Sequence, residues 1–396
     1  MSGHILLHAE SWYIFVRLLV EWHVVAMASS GLYVNPNTGQ TQAGLQPFRN
    51  AIINGDMRIN QRGTSTNLAS MTAVATASPG SWVTDRWNVF RPSNVTGAVI
   101  AQGLNLGTTN LPFIEAGVTT FARIGRLTGN TLTDQIKCTY NMESQDSIRF
   151  AGKTTTFSFY YRTGANFSAS PFYVGVNTGT GNDQSMRNTI TGGSNPSYTE
   201  LNVALNWVKV TKTFNISSVA TQIFLQFSYY PTGTADAADY FDITGVQLEL
   251  GSVATPFETR PYSVELQLCQ RYLYKISGKT GVNSTVGSGY FNSFNDGVIF
   301  IPTPPNFRQV ISLRLTTSAG SAIQGVYINQ ANTSYTDNDV YVQTPTNIIK
   351  MSQVQVNTWG SVYCLIINAA TPSSATNTPL YALIPPGKFL MFDAEL

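Results

Sequence analysis

Short segments of alternating polar and apolar residues, separated by Gly, Asn and Pro, recur over most of the chain. Two clear examples are residues 155–161, Thr-Thr-Phe-Ser-Phe-Tyr-Tyr, and residues 243–250, Ile-Thr-Gly-Val-Gln-Leu-Glu-Leu. In the second, we expect Val246, Leu248 and Leu250 to face one way, because side chains alternate along a strand. Candidate strands return roughly every 8–12 residues without helices between them, which is typical of β-sandwiches. We therefore predict an all-β chain with an N-terminal jelly-roll β-sandwich, a short linker helix and a C-terminal β-sandwich-like domain.

Changes in composition divide the chain into four parts. They are an N-terminal extension and arm over 1–47, a jelly-roll domain over 48–262, a linker helix over 263–281 and a C-terminal β domain over 282–396. Residues 5–26 are apolar but include Glu10, Arg17 and Glu21, and charges in mid-span are costly in a bilayer, so we predict no membrane span. The stretch before Met27 has three interpretations: an extension upstream of the native start, a docking or coiled-coil helix, and a signal peptide.

The linker helix has a capping and spacing pattern. Ser263 is a good N-cap, and Gly278 is a suitable stop after the last turn. The apolar residues follow the 3-4-3 spacing of a coiled-coil seam and are Leu266, Cys269, Leu273 and Ile276. Two interpretations remain open: a helix packed on one domain, and a short oligomerisation stalk.

The distribution of histidine and cysteine excludes several classes of site. All three histidines lie within the first 23 residues, so catalysis by His-containing triads and His-ligated zinc are excluded from the rest. Cys138, Cys269 and Cys364 are far apart and form no CxxC pair, so we expect them to be reduced, buried and structural. Charged residues make up only 11% of the chain, the net charge is +2 and no basic run occurs, so we predict no nucleic-acid partner.

Paired carboxylates remain as a catalytic possibility, because glycoside hydrolysis needs only Asp and Glu. The candidates are Glu143, Asp146, Asp183 and Glu200. Nothing in their spacing singles out a pair.

Oxygen-bearing residues at the two ends of the jelly-roll domain suggest a structural calcium ion. Asn54-Gly55-Asp56 lies at its start, and Asp239 and Asp242 flank its last strand. The first and last strands of a sandwich can be neighbours, and Ca²⁺ takes roughly six to eight oxygen ligands. The alternative is that Asn54-Gly55-Asp56 forms a turn and the aspartates lie on a solvated edge.

Aromatic residues are the other chemical resource of this domain, since a flat ring can stack on an apolar ligand face. In the pairs Tyr160-Tyr161 and Tyr229-Tyr230, alternation sends one ring inward and the other outward. The predicted surface rings come from these pairs and from Trp82. The alternative for each ring is the sandwich core.

Several short motifs occur in a recognisable order along the chain. They are the segments at 49–62 (RNAIINGDMRINQR), 85–87 (DRW), 243–251 (ITGVQLELG), 255–258 (TPFE), 260–262 (RPY), 265–272 (ELQLCQRY) and 392–396 (FDAEL). Together they resemble a family of bacteriophage tail-fibre or virion structural proteins with a jelly roll like that of carbohydrate-binding modules. The resemblance covers residues 48–275 well and 282–396 loosely.

The resemblance implies a non-enzymatic, homotrimeric virion appendage that assembles in the host cytoplasm, attaches to other tail proteins and contacts host-surface polysaccharide. It also implies that Asn54, Asp56 and Asp242 hold the calcium ion. The resemblance does not map the aromatic contacts residue by residue, so the predicted carbohydrate contacts are the rings already named from the sequence, at Tyr160, Tyr161, Tyr229, Tyr230 and Trp82. Two alternatives stay open: a polysaccharide depolymerase with paired carboxylates, and a purely architectural virion protein.

Overall fold

The computed structural model describes the chain in several ranges. Side chains and backbone are described for 48–61, 82–89, 118–169, 171–186 and 189–276, and backbone alone for 277 and the remaining strands. An N-terminal hairpin consists of β1 (Leu32–Val34) and β2 (Thr41–Ala43).

In the described part of residues 81–250, eleven strands follow. They are β3 (Ser81–Thr84), β4 (Trp87–Phe90), β5 (Val99–Asn105), β6 (Thr120–Arg126), β7 (Ile136–Asn141), β8 (Thr154–Thr163), β9 (Phe172–Gly179), β10 (Ser194–Leu201), β11 (Val208–Asn215), β12 (Gln222–Tyr229) and β13 (Tyr240–Leu250). A short helix α1 (Ser144–Ser147) and a 3-10 turn (Ile148–Phe150) lie between β7 and β8. After β13 come helix α2 (Tyr262–Gln270) and the strands β14 (Leu273–Ser277), β15 (Ser284–Phe291), β16 (Asp296–Pro302), β17 (Tyr341–Gln343), β18 (Ile348–Trp359), β19 (Val362–Ala369), β20 (Pro379–Ile384) and β21 (Phe389–Asp393).

The eleven strands form two antiparallel sheets. The first has six strands in the order β10-β9-β12-β7-β4-β3, and the second has five in the order β11-β8-β13-β6-β5. The pairs β9-β10, β3-β4 and β5-β6 are consecutive in the chain, whereas the other neighbours, such as β7-β12 and β6-β13, are far apart, as expected of a jelly-roll-like sandwich rather than a meander. The prediction of an all-β sandwich is confirmed.

One apolar core joins the inner faces of the two sheets. Aromatic rings dominate it: the rings of Phe159 and Phe227 meet edge to face at 5.1 Å, and those of Phe172 and Phe241 lie 4.7 Å apart. Trp87 is fully buried in the same cluster. Such pairs contribute about 0.5–1.5 kcal/mol each beyond the area they bury.

A β-bulge interrupts the alternation of β13. The register against β8 shifts between Thr244 and Gln247, and Gly245 takes a φ of +59° there. The bulge lets Val246 and Leu248 enter the core, but Leu250 is 50% exposed. Leu250 is exposed because it lies at the end of the strand, although alternation gives it the same phase as Val246 and Leu248.

Helix α2 is shorter than the sequence predicts. It begins at Tyr262 after Pro261, with no side-chain cap at its start, and ends at Gln270. Cys269 packs with Ile53, Ile59 and Tyr272. Leu273 and Ile276, two members of the predicted coiled-coil seam, belong instead to β14, which pairs with β21. The helix prediction over 263–281 is therefore wrong in its extent, because sheet pairing ends the helix, and Gly278 lies outside the described residues.

The other described C-terminal strands form a closed barrel. They hydrogen-bond in the antiparallel ring β15-β16-β19-β18-β17-β20. The expected sandwich-like domain is in this respect corrected to a barrel, whose closure leaves no unpaired edge strand. Cys138 and Cys269 are buried and form no disulfide, as predicted, and the side chain of Cys364 lies outside the described residues.

Within the described part of the chain, no helix combines the length and the apolar character needed to cross a bilayer. Residues 5–26, for which the sequence predicts no span, lie outside that part.

A buried charged cluster ties the segment before the sandwich to the segment after it. Arg260 donates to the Glu265 carboxylate at 3.2 Å and to the backbone carbonyls of Asn50 and Ile52. Glu265 also accepts the backbone N–H of Asn54. We call this cluster the clasp; it consists of Asn50, Asn54, Asp56, Arg58, Glu258, Arg260 and Glu265.

Candidate functional site

The outer face of the six-stranded sheet is the principal candidate surface. On β12, Ile223, Leu225, Phe227 and Tyr229 all belong to the core. The alternate residues therefore face outward, and among them Gln226 is partly exposed.

Three tyrosines meet on this face from different parts of the chain. Tyr173 lies on β9, Tyr198 on β10, and Tyr230 directly after β12. The Tyr173 ring stacks on Tyr198 at 5.6 Å and 29°, and meets Tyr230 edge to face at 5.8 Å and 89°. Tyr198 and Tyr230 are 49% and 50% exposed. We call this group the tyrosine face.

Strand register places an uncharged row beside the tyrosines. Tyr198 lies opposite Gly175, Gly175 opposite Gln226, and Gln226 opposite Thr139. Gly175 leaves a low point between a ring and an amide, since a Cβ there would lie 3.6 Å from the Tyr198 ring. The row continues across β4 and β3 to Trp82. From β10 to β3 the row spans roughly 24 Å, at about 4.8 Å between neighbouring strands.

Polar groups near the rings are oriented by hydrogen bonds. The Gln226 side-chain amide donates to Ser228 Oγ at 2.9 Å, and the Gln135 amide donates to the same oxygen at 3.2 Å. Partial burial raises the pKa of the Tyr198 phenol, with smaller contributions from the neighbouring tyrosines and Glu200. The phenol therefore keeps its proton at neutral pH and can donate a hydrogen bond.

The alternation argument places one predicted tyrosine pair correctly and the other wrongly. Tyr229 is fully buried and Tyr230 is half exposed, as predicted. Both Tyr160 and Tyr161 are buried, so the prediction that one of their rings is exposed is wrong. Tyr161 faces the core, and Tyr160 faces outward but is covered, with the Lys209 ammonium 5.4 Å from its ring centroid.

Trp82, which is predicted to be a surface ring, lies on the outer face of the six-stranded sheet but is only 9% exposed. The structure therefore presents neither its ring nor those of Tyr160, Tyr161 and Tyr229 to solvent. The sequence reasoning singled out neither Tyr173 nor Tyr198 as a surface ring. The consecutive pair Phe172-Tyr173 carries the same alternation signal as Tyr229-Tyr230, whereas Tyr198 becomes significant only once β10 is known to pair with β9.

The predicted calcium ligands fall into two separate groups. Asp242 is fully buried, and its carboxylate accepts hydrogen bonds from Arg123 at 2.8 Å and Arg162 at 2.7 Å. The side-chain amide of Asn54 hydrogen-bonds with the backbone of the same turn. Its Nδ2 donates to the Ile59 carbonyl, and its Oδ1 accepts the Ile59 N–H.

Asp56, the third predicted ligand, pairs with Arg58 at 3.1 Å inside the clasp. Burial raises the pKa of this carboxyl to about 6, although the Arg58 charge lowers it. Among the described residues no cluster of three or more His, Cys, Asp or Glu side chains suits a metal ion. Groups of the protein itself thus contact side-chain oxygens of Asn54, Asp56 and Asp242. Calcium binding by these three residues stays a prediction. Asp239 is likewise paired, with Arg126 at 2.7 Å.

Three of the four acidic candidates lie together near α1. The Asp183 carboxylate accepts the Ser144 N–H at 2.9 Å, and Glu143 pairs with Arg271 at 2.7 Å. Burial, together with the charge of Glu143, raises the pKa of Asp146. Glu200 lies apart on β10 beside the tyrosine face.

Comparison with known proteins yields structural overlaps alone. No family model and no curated protein matches the sequence. The enzymatically active domain of tailspike protein 4 from bacteriophage CBA120 overlaps 52% of this chain at 11% identity and a TM-score of 0.31, and the overlap covers 22% of that protein.

Two carbohydrate-binding modules overlap about half of the chain. A CBM4 protein covers 50% of it at 15% identity and a TM-score of 0.26, with 98% of the module matched. The CBM22-1 xylan-binding domain from Paenibacillus barcinonensis covers 48% at 11% identity and a TM-score of 0.28, with 99% matched. At TM-scores this low the overlaps carry no weight for function, and membership of the tail-fibre family stays a prediction.

Proposed function

We propose that this protein binds polysaccharide through the tyrosine face, without cleaving it, as a subunit of a bacteriophage appendage that attaches to the host surface. The observation that carries the binding proposal is the convergence of Tyr173, Tyr198 and Tyr230, two of them half exposed, on one sheet face. The virion role is supported by the motif resemblance of the sequence.

The geometry suits neutral sugar rings. A pyranose presents an apolar C–H face that can stack on the Tyr198 or Tyr230 ring, and its hydroxyls need both donors and acceptors. Gln226 supplies such groups close to the tyrosines, since it is partly exposed and its amide is held in place by the buried Ser228, which lies directly opposite Tyr173 in the sheet.

Each such site would bind weakly, because stacking and a few solvent-exposed hydrogen bonds leave a small surplus of free energy. Three copies in a homotrimer would compensate, since the later binding events become intramolecular and raise avidity. This predicts strong retention on a cell surface together with weak binding of a free oligosaccharide.

The test uses the purified full-length protein and surface polysaccharides from candidate host cells, with retention and release of soluble oligosaccharide both recorded. We expect retention without release, and loss of retention in the Tyr198→Ala, Tyr230→Ala double variant. Tyr262→Ala is the matched control, because Tyr262 is 59% exposed but lies at the start of α2. Equal loss in the control would overturn the assignment to the tyrosine face.

The acidic group near α1 supports a second candidate function, a polysaccharide depolymerase. A raised pKa at Asp146 beside Glu143 is the combination that a general acid needs. Release of oligosaccharide that Asp146→Asn abolishes would favour this function over simple binding.

A further inference from the structure

The outer face of the other sheet carries a row of charged side chains across three neighbouring strands. Arg123 on β6 and Arg162 on β8 both lie opposite Asp242 on β13. The Arg123 guanidinium binds both carboxylate oxygens, with Nε–Oδ1 at 2.8 Å and Nη2–Oδ2 at 2.9 Å, and Arg162 Nε donates to Oδ2 at 2.7 Å. We call these three residues the arginine row.

One carboxylate neutralises only one of the two guanidinium groups, so the arginine row keeps a net charge of +1. Asp242 is fully buried, whereas the side chains of Arg123 and Arg162 are 22% and 20% exposed. The positive charge is therefore on the solvent side. Burial disfavours the charged form of Arg123. The hydrogen bonds to Asp242 and the negative charge of that carboxylate outweigh the effect of burial and raise the pKa of Arg123.

Within the described part of the chain, most N–H groups of the two guanidinium groups donate to no acceptor. A guanidinium carries five N–H donors in a fixed planar fork. Arg123 uses its Nε and Nη2 on Asp242 and Arg162 uses only its Nε, and the other nitrogens of both groups have no acceptor within the described part of the chain. A purely structural ion pair would not need two forks for one carboxylate.

Aromatic rings border the arginine row. The Arg162 guanidinium lies 4.9 Å from the Trp207 ring centroid, and that of Arg123 lies 3.5 Å from the Tyr240 ring centroid. Trp207 and Tyr240 are both partly exposed. The indole Nε1–H of Trp207 is buried without an acceptor among the described residues, which leaves a further donor beside the pair.

We propose that the arginine row and Trp207 form a second binding site, for a singly charged oxyanion carried on a sugar ring. The guanidinium N–H groups would bind the oxyanion, and the partly exposed Trp207 and Tyr240 rings would lie against the apolar face of the ring. Planar forks of this kind suit carboxylates and sulfate esters. The site lies on a different sheet from the tyrosine face and does not depend on the proposed binding there.

The test is isothermal titration of the full-length protein with trigalacturonate, with its neutral methyl ester and with a sulfated galactan oligomer. We expect trigalacturonate to bind, the ester to fail, and the affinity to fall with added salt, which screens a charge interaction. The sulfated oligomer distinguishes the two sources of the oxyanion, since a sulfate-selective site would bind it in preference to trigalacturonate.

Three variants assign the binding. Arg162→Gln keeps the two-point pairing of Arg123 with Asp242 and should weaken binding about tenfold or more, since a charged hydrogen bond contributes roughly 1.5–3 kcal/mol. Lys212→Gln removes an exposed charge from β11 of the same sheet and should change nothing. If Arg162→Gln proves unfolded by its melting curve, Arg162→Lys keeps the charge without the fork and should still lose affinity.

The outcomes separate this site from the tyrosine face. Tyr198→Ala should leave oxyanion binding unchanged, and its loss there would overturn the assignment to the arginine row. Equal binding of the methyl ester, binding unaffected by Arg162→Gln, or no binding of either anionic saccharide would each show that the row is only structural.

Discussion

The clasp and the tyrosine face are opposite in almost every property. The clasp is buried, charged and built from the motifs that carry the family resemblance, including Asn54, Asp56, Arg260 and Glu265. The tyrosine face is exposed and mostly uncharged, and none of its rings belongs to those motifs. The difference shows that the recognisable part of this sequence encodes how the sandwich is closed, whereas the surface proposed to bind ligand has no motif of its own.

The comparison would break if the clasp contributed little to folding. We expect Arg260→Ala to lower the free energy of unfolding by about 3–5 kcal/mol, because it leaves the Glu265 charge buried and short of a partner. Arg149→Ala is the control, since Arg149 is exposed, and should stay within about 0.5 kcal/mol. Urea denaturation measures both, and similar values for the two variants would show that the clasp is dispensable.

A pH series tests the description of the clasp as a buried charged cluster. The folded-state pKa of Asp56 is about 6, above its ordinary value of 3.8, so its protonated form stabilises the fold. That contribution, about 3 kcal/mol for a shift of this size, is complete below about pH 4 and is lost as the pH rises through about 6.

The measurement is the difference in unfolding free energy between the wild type and Asp56→Asn, taken from pH 4 to pH 8. We expect the wild type to lose stability relative to the variant as the pH rises, since Asn does not ionise. A difference that is constant with pH would contradict the raised pKa.

Two glycines compare the regions directly. A Cβ at Gly55, between two residues of the clasp, would collide with the backbone carbonyl of Val246, whereas one at Gly175, beside the tyrosine face, meets its nearest atom, Asn177 Nδ2, at 3.3 Å. We expect Gly55→Ala to cost about 1–3 kcal/mol and Gly175→Ala less than about 1 kcal/mol. Melting temperatures of the two variants test this, and the reverse order would contradict the packing described here.

The smallest effect on stability is expected at the tyrosine face. Tyr198→Ala or Tyr230→Ala should leave the free energy of unfolding within about 0.5 kcal/mol, since both rings are half exposed. Each should nevertheless weaken polysaccharide binding by about 1 kcal/mol, or roughly fivefold, through lost stacking. Affinity electrophoresis in gels containing the polysaccharide measures the binding, and a stable variant with unchanged migration would remove that ring from the site.

Local patterns predicted much of the fold. Two-residue periodicity correctly indicated an all-β chain and the inward position of Tyr229, because alternation depends only on neighbouring residues. It did not show that Leu250, at the end of β13, is half exposed, and it was wrong at Tyr160, which has the outward phase but is covered. Burial depends on what packs above a side chain, and periodicity contains no information about that.

The extent of the helix was predicted wrongly for a related reason, and the protein partners of the predicted calcium ligands were likewise invisible in the sequence. The spacing of Leu266, Cys269, Leu273 and Ile276 fits a helix, yet the last two pair with β21, more than a hundred residues further along the chain. Asp242 was expected to bind calcium because oxygen donors suit it, but two arginines from other strands engage its carboxylate.

The sequence by itself determined the strands, the inward and outward phase of most side chains, and the absence of histidine chemistry after residue 23, because these are properties of residue identity and short spacing. The tertiary structure alone decided which strands are neighbours. Arg123 and Asp242 are 119 residues apart, and Arg162 and Asp242 are 80 apart, yet they form one row. Both proposed binding surfaces arise from such long-range pairing, which follows from burying both sheets against one core.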